Sequence, residues 1–93
     1  MPIWTVDTWK VKPGSETHFL QKCGDLSPEP LTLFRGLEKP AFFWSPAKWQ
    51  SRETLDEWRT SDQYKASVGR VREYVLEHFT HLMEDVPEFP PRR

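Results

Sequence analysis

The sequence predicts an α+β domain in which one antiparallel sheet carries helices on one face. Three observations lead there. Runs of β-branched and aromatic residues open and close the chain and form a pair in its middle. Two stretches between them repeat apolar residues at helical spacing. Proline and glycine punctuate the joints.

Residues 3–12, Ile-Trp-Thr-Val-Asp-Thr-Trp-Lys-Val-Lys, read as the first strand. Ile3, Thr5, Asp7, Trp9 and Val11 share one face, and Trp4, Val6, Thr8 and Lys10 share the other. Pro13-Gly14 stops it. A helix from about Ser15 to Cys23 follows, with Ser15 as N-cap, Phe19, Leu20 and Cys23 as its apolar face and Gly24 as its end. Asp25–Pro30 is a loop by its prolines. Leu31–Leu37 and Ala41–Gln50 read as the second and third strands, a hairpin turned at Glu38-Lys39-Pro40. Pro46 inside the third points to an edge position or a bulge. Ser51 caps a helix with Leu55 and Trp58 on one face. Thr60-Ser61-Asp62 interrupts it and caps a second segment that runs to about Leu76, with Tyr64, Val68, Val71 and Val75 at 4-3-4 spacing. His78–Glu84 is the last strand, and the prolines at 87, 90 and 91 make residues 87–93 a tail to a domain of 1–86. The order β-α-β-β-α-β is the ferredoxin-like, split βαβ arrangement.

Composition narrows the function. The 93 residues allow one domain, and a core of that size is modest. Thirteen basic against 14 acidic residues, with no basic run before Arg92-Arg93, leave nucleic-acid binding by bulk charge unsupported. No apolar run is long enough to span a membrane. The lone Cys23 excludes an internal disulfide and a multi-cysteine zinc site. The opening Met1-Pro2-Ile3-Trp4 lacks the regions of a signal peptide, so a cytoplasmic location is expected.

The aromatic content is unusual: five Trp, six Phe and two Tyr. They can serve a core or an interface, or wall a pocket for a flat ligand. One sheet face, carrying Trp4 and Val6, has no cover within a single chain. An apolar face of that kind predicts a partner, and a homodimer closed sheet to sheet or as a barrel would supply it.

The stretch Lys48-Trp49-Gln50-Ser51-Arg52-Glu53-Thr54-Leu55-Asp56-Glu57-Trp58-Arg59-Thr60-Ser61-Asp62-Gln63-Tyr64 resembles the signature region of antibiotic biosynthesis monooxygenase (ABM) domains. There Trp-x-Ser ends the third strand, and a helical Trp, here Trp58, comes next. The first strand's ending, Val11-Lys12-Pro13-Gly14, is similar too. The resemblance covers roughly residues 3–85. It implies a dimeric α+β barrel and, for the oxygenating branch, oxidation of an aromatic or polyketide-like small molecule by O2 with neither metal nor flavin. It also implies a pocket between sheet and helices, lined by a strand-one residue, the helix Trp and a nearby helix residue. These correspond to Asp7, Trp58 and Tyr64; Asp7 stands where the family often has Asn. A haem-degrading branch needs a histidine where this chain has Val68, so no haem and no other cofactor is expected.

Each site residue has a plainer reading. Asp7 is a proton acceptor or an ion-pair partner, since a buried carboxylate needs a reason. Trp58 is a stacking wall or a core residue. Tyr64 is a proton donor or a packing residue. His78 is a general acid or base if it faces the pocket. His78 and His81, three apart on a strand, point to opposite faces and make a poor metal site. Cys23 reads as a small buried residue. The alternatives to the enzyme are a ligand-binding or stress-related dimer without catalysis, and a subunit of a larger assembly.

Overall fold

The computed structural model describes residues 2–86; the tail, 87–93, lies outside the described residues. Its elements are β1 (Ile3–Val11), α1 (Glu16–Lys22), a 3-10 turn (Cys23–Leu26), β2 (Phe34–Arg35), β3 (Phe42–Trp49), α2 (Arg52–Thr60), α3 (Asp62–Arg72) and β4 (Val75–Glu84). The sheet runs β2-β3-β1-β4, each pair antiparallel. This is the predicted order of elements, with the second helix broken in two at Ser61.

The break arises from the sequence. The Ser61 hydroxyl accepts from the Tyr64 N–H at the start of α3 and donates to the Trp58 carbonyl at the end of α2. One side chain thus satisfies a group at each of two helix ends. Ser51 caps α2 in the expected way, accepting from the Thr54 N–H. Ser15 precedes α1, but its side chain makes no cap bond. Gly14 turns the chain there with φ of +83°, a conformation that glycine adopts without a Cβ clash.

Several boundaries differ from expectation. Gly24 does not end the first helix; the chain tightens into the 3-10 turn through Leu26 and buries Cys23 and Leu26. Leu20 is exposed rather than part of that helix's apolar face. The second strand shrinks from seven residues to Phe34–Arg35. The last helix stops at Arg72, and Val75 to Glu77 belong to β4, which therefore starts earlier than His78. Val75 repeats at helical spacing, but a tight turn at Glu73-Tyr74 intervenes, with the Tyr74 N–H on the Val71 carbonyl. Pro46 sits on an inner strand of the sheet. It is tolerated because β2 pairs only with Phe43 and Trp44, which leaves that edge of β3 open beyond them.

The core lies between the sheet and the helices. Trp9 and Val11 of β1, Phe43 of β3, Phe19, Cys23, Leu26 and Val71 make one buried cluster. Trp9 and Trp49 are buried with their indole N–H groups satisfied, by Ser45 Oγ at 3.1 Å and Thr5 Oγ1 at 3.0 Å. Among the described residues nothing covers the opposite face of the sheet, whose middle is mainly apolar, with Lys10 and Lys48 toward its ends. Register places Trp4 beside Met83, Thr8 between Trp44 and Phe79, and Phe34 beyond Trp44.

Candidate active site

β1 contributes the centre of the site. Alternation turns Thr5, Asp7 and Trp9 toward the helices, and the sheet order puts β4 alongside. Asp7 is paired in register with Thr80, and Trp9 with His78. Three groups converge on Asp7 Oδ1. The Thr80 hydroxyl and Arg59 Nη2, at 3.5 Å, donate to it, and His78 Nε2 lies 2.9 Å away in a hydrogen bond whose direction follows the imidazole tautomer. Among the described residues none reaches Oδ2. Asp7 and Arg59 are 17% and 27% exposed, so the pair is largely shielded and removing one partner costs more than at a surface ion pair. Arg59 Nη1 also donates to Thr80 Oγ1, at 3.3 Å, while its Nε is buried without a partner among the described residues.

The last turn of α2 supplies Trp58 and Arg59. Trp58 is half-buried, and its indole N–H donates to the Leu26 carbonyl at 3.3 Å. Tyr64, one turn into α3, meets the Trp58 ring edge-on at 5.9 Å. The Arg59 guanidinium lies 5.7 Å from the Tyr64 ring centre. Burial pushes the Tyr64 phenol above its ordinary value; Arg59 counters this and Asp7 adds to it. Tyr64 is therefore a neutral O–H donor at physiological pH.

Asp7, Trp58, Arg59 and Tyr64 meet at one cavity of about 10 Å³, with Leu26 and Leu31 also in its lining. That is room for a single water. Ser27, Leu31, Ala47 and Trp49 also line a groove of about 620 Å³ beside it, under the Pro28–Thr32 segment. The groove is of a size that holds a small organic ligand.

The sequence-derived residues are thus brought together. Asp7, Trp58 and Tyr64 line one cavity, and His78 stands behind Asp7 with its ring stacked on Trp9, centroids 3.7 Å apart. Asp7 has an ion-pair partner as well as a cavity-facing position. Trp58 lines the cavity and is half-buried, whereas Leu55, its neighbour on the helix, is fully buried. His81 pairs with Val6 and faces away, and among the described residues no three potential ligands come together for a metal. Cys23 is buried in the core, and its thiol is pushed up by that burial. Sequence reasoning missed Arg59 and Thr80. Arg59 adjoins Trp58 inside the signature stretch, but a lone exposed-looking cation on a helix gives no signal. Thr80 becomes meaningful only once register is known.

A family model described as "Antibiotic biosynthesis monooxygenase" matches residues 2–70. The chain belongs to that family. Three solved structures share its fold. A conserved protein from Methanosarcina mazei is 20% identical over 92% of this chain and 94% of its own, with a TM-score of 0.81. A protein from Bordetella bronchiseptica, provisionally named an antibiotic biosynthesis monooxygenase, is 20% identical over 91% and 97%, at 0.80. One from Caulobacter crescentus with the same provisional name is 20% identical over 91% and 90%, at 0.81. No curated protein matches the sequence.

Proposed function

We propose that the chain is a monooxygenase that oxidises a small phenolic or quinol-like aromatic with O2 and without metal or flavin. The observation that carries this reading is the meeting of a carboxylate, a guanidinium, an indole and a neutral phenol at one cavity on the helix side of the sheet, in a chain of this family. Substrate enters from the neighbouring groove as Leu31 and the segment around it give way, and its ring stacks on Trp58. Asp7 accepts the substrate's proton at Oδ2, the oxygen with no donor on it. Arg59 then faces the developing anion, and the Tyr64 hydroxyl donates to it. The electron-rich anion reduces O2. For an anthrone, a CH2 becomes C=O with one oxygen atom and the other leaves as water, so atoms and electrons balance. The uncovered sheet face supports a homodimer around which two such sites would sit.

Oxygen uptake over a panel of anthrones and quinols tests this. Wild type should consume O2 with at least one of them. Asp7→Asn, measured well below its melting temperature, should be slower by about 10²–10⁴-fold, the usual contribution of a positioned acid or base. Undiminished uptake by folded Asp7→Asn removes Asp7 from the chemistry.

A further inference from the structure

The small cavity at Asp7 has a second neighbour. Behind Asp7, an open groove of about 260 Å³ runs between α3 and β4, with Val68, Val71, Val75 and Leu76 among its lining and Arg72, Glu77 and His78 as its polar groups. The cavity and this groove share no lining residue. Two side-chain hydrogen bonds cross from one set of lining residues to the other. Trp9 to Ser45 ends in an indole, which neither takes nor releases a proton near neutrality. His78 to Asp7 joins two groups that both can. His78 is one-quarter exposed, and its ring plane is held by the stack on Trp9, so one nitrogen stays on Asp7 while the ring borders the groove.

Charge counting gives this link a role. Asp7 and Arg59 balance each other while the substrate is neutral. Once the substrate ionises, two anions face one guanidinium in a shielded site, unless another group becomes positive. An imidazole is ordinarily the stronger base than a carboxylate by about two to three pKa units. Resting on the proposed oxidation, we infer that His78 stores the substrate's proton: Asp7 passes it through the cavity wall, and the imidazolium faces the solvent groove. The substrate O–H or C–H bond breaks, and its electron pair stays on the substrate. The carboxyl then turns to present its O–H to His78 Nε2, which carries a free electron pair when the ring hydrogen is on Nδ1. The O–H bond breaks as an N–H bond forms at Nε2, and Asp7 is again a carboxylate between two cations. The proton returns by the same route when the departing oxygen becomes water. The charged groups around the ring are Asp7 on β1, Arg72 on α3 and Glu77 on β4, with Arg59 of α2 behind Asp7. His78 acts through Asp7 and is a positioning residue.

The test combines His78→Gln, His78→Ala and ring-labelled histidine. Wild-type oxidation should fall in acid, as a proton already held on the imidazole leaves it no place for the substrate's. Folded His78→Gln should lose that dependence and run at least about tenfold slower, near the lower end of an acid–base contribution. His78→Ala opens a gap beside Trp9 onto the groove, and millimolar free imidazole should restore its rate. A folded His78→Gln that keeps the wild-type pH profile, or no rescue of folded His78→Ala, overturns the inference. Magnetic resonance of His78 separates the two readings. A ring blind to pH overturns proton storage by itself. A ring that titrates in a protein oxidising nothing overturns the oxidation reading instead.

Discussion

Replacing Asp7 by Asn changes one atom and removes one charge. Oδ1 keeps its position as acceptor for Thr80 and His78. The loss is the anion opposite Arg59, whose Nε already lacks a partner among the described residues. Breaking a fully buried ion pair by removing one member costs about 3–5 kcal/mol. Here the two side chains are 17% and 27% exposed and the contact is long, at 3.5 Å. Water takes up part of the loss, and about 1–2 kcal/mol is expected, within the range for losing a hydrogen bond to a charged group. For a chain of this size that lowers Tm by roughly 4–16 °C. Thermal melts and urea titrations of wild type, Asp7→Asn, Arg59→Met and the double variant make the measurement. If the orphaned guanidinium is the cause, the double variant is less destabilised than the two single losses summed, by about 1 kcal/mol or more. An Asp7→Asn variant as stable as wild type, or strict additivity in the cycle, refutes the ion-pair account.

Four further outcomes are expected. Light scattering at micromolar concentration should return twice the chain mass. Phe79→Lys, on the open sheet face and 55% exposed in the single chain, should return one; a single-chain mass for wild type sinks the dimer. Burial raises Tyr64, so the folded chain holds that proton more tightly than the unfolded one. Its contribution to stability is whole below about pH 10 and is lost as pH rises past the raised value. Tyr64→Phe should therefore soften the alkaline fall in stability, with Tyr74 left as the only tyrosine for the absorbance titration. The Cys23 thiol, buried and pushed up, should react with a thiol reagent at neutral pH only as fast as the chain opens; prompt labelling of native protein contradicts its burial. Gly36→Ala should destabilise by about 1–3 kcal/mol in urea titration, the usual cost of overpacking. A Cβ there would lie 2.7 Å from the Lys39 carbonyl oxygen and 2.9 Å from the Trp44 ring.

Local chemistry determined a good deal of this protein. Alternation along residues 3–11 put Asp7 on the face of Thr5 and Trp9, opposite Trp4 and Val6, because strand geometry alone fixes which residues share a face. Ser51 and Ser61 marked two helix starts, since a cap is a contact within four residues. The element order implied the sheet and, with helices on one side only, a face without cover in the single chain. Elements that depend on distant partners were less legible. Residues 31–37 have strand-like composition, yet only Phe34 and Arg35 pair in register with β3, with one more bond from the Gly36 N–H to the Phe42 carbonyl. Val75 fits a helical repeat, yet it pairs with Val11 across the sheet. The site divides in the same way. Asp7, Trp58, Tyr64 and His78 could be singled out by residue type and by a family resemblance. That three side chains meet on one Asp7 oxygen, that Arg59 is one of them, and that His78 stands between the small cavity and a wider groove depend on the register of β1 against β4 and on how α2 packs over them. These contacts join residues 52 to 73 positions apart in the chain, and no periodicity within a segment encodes a distance between segments.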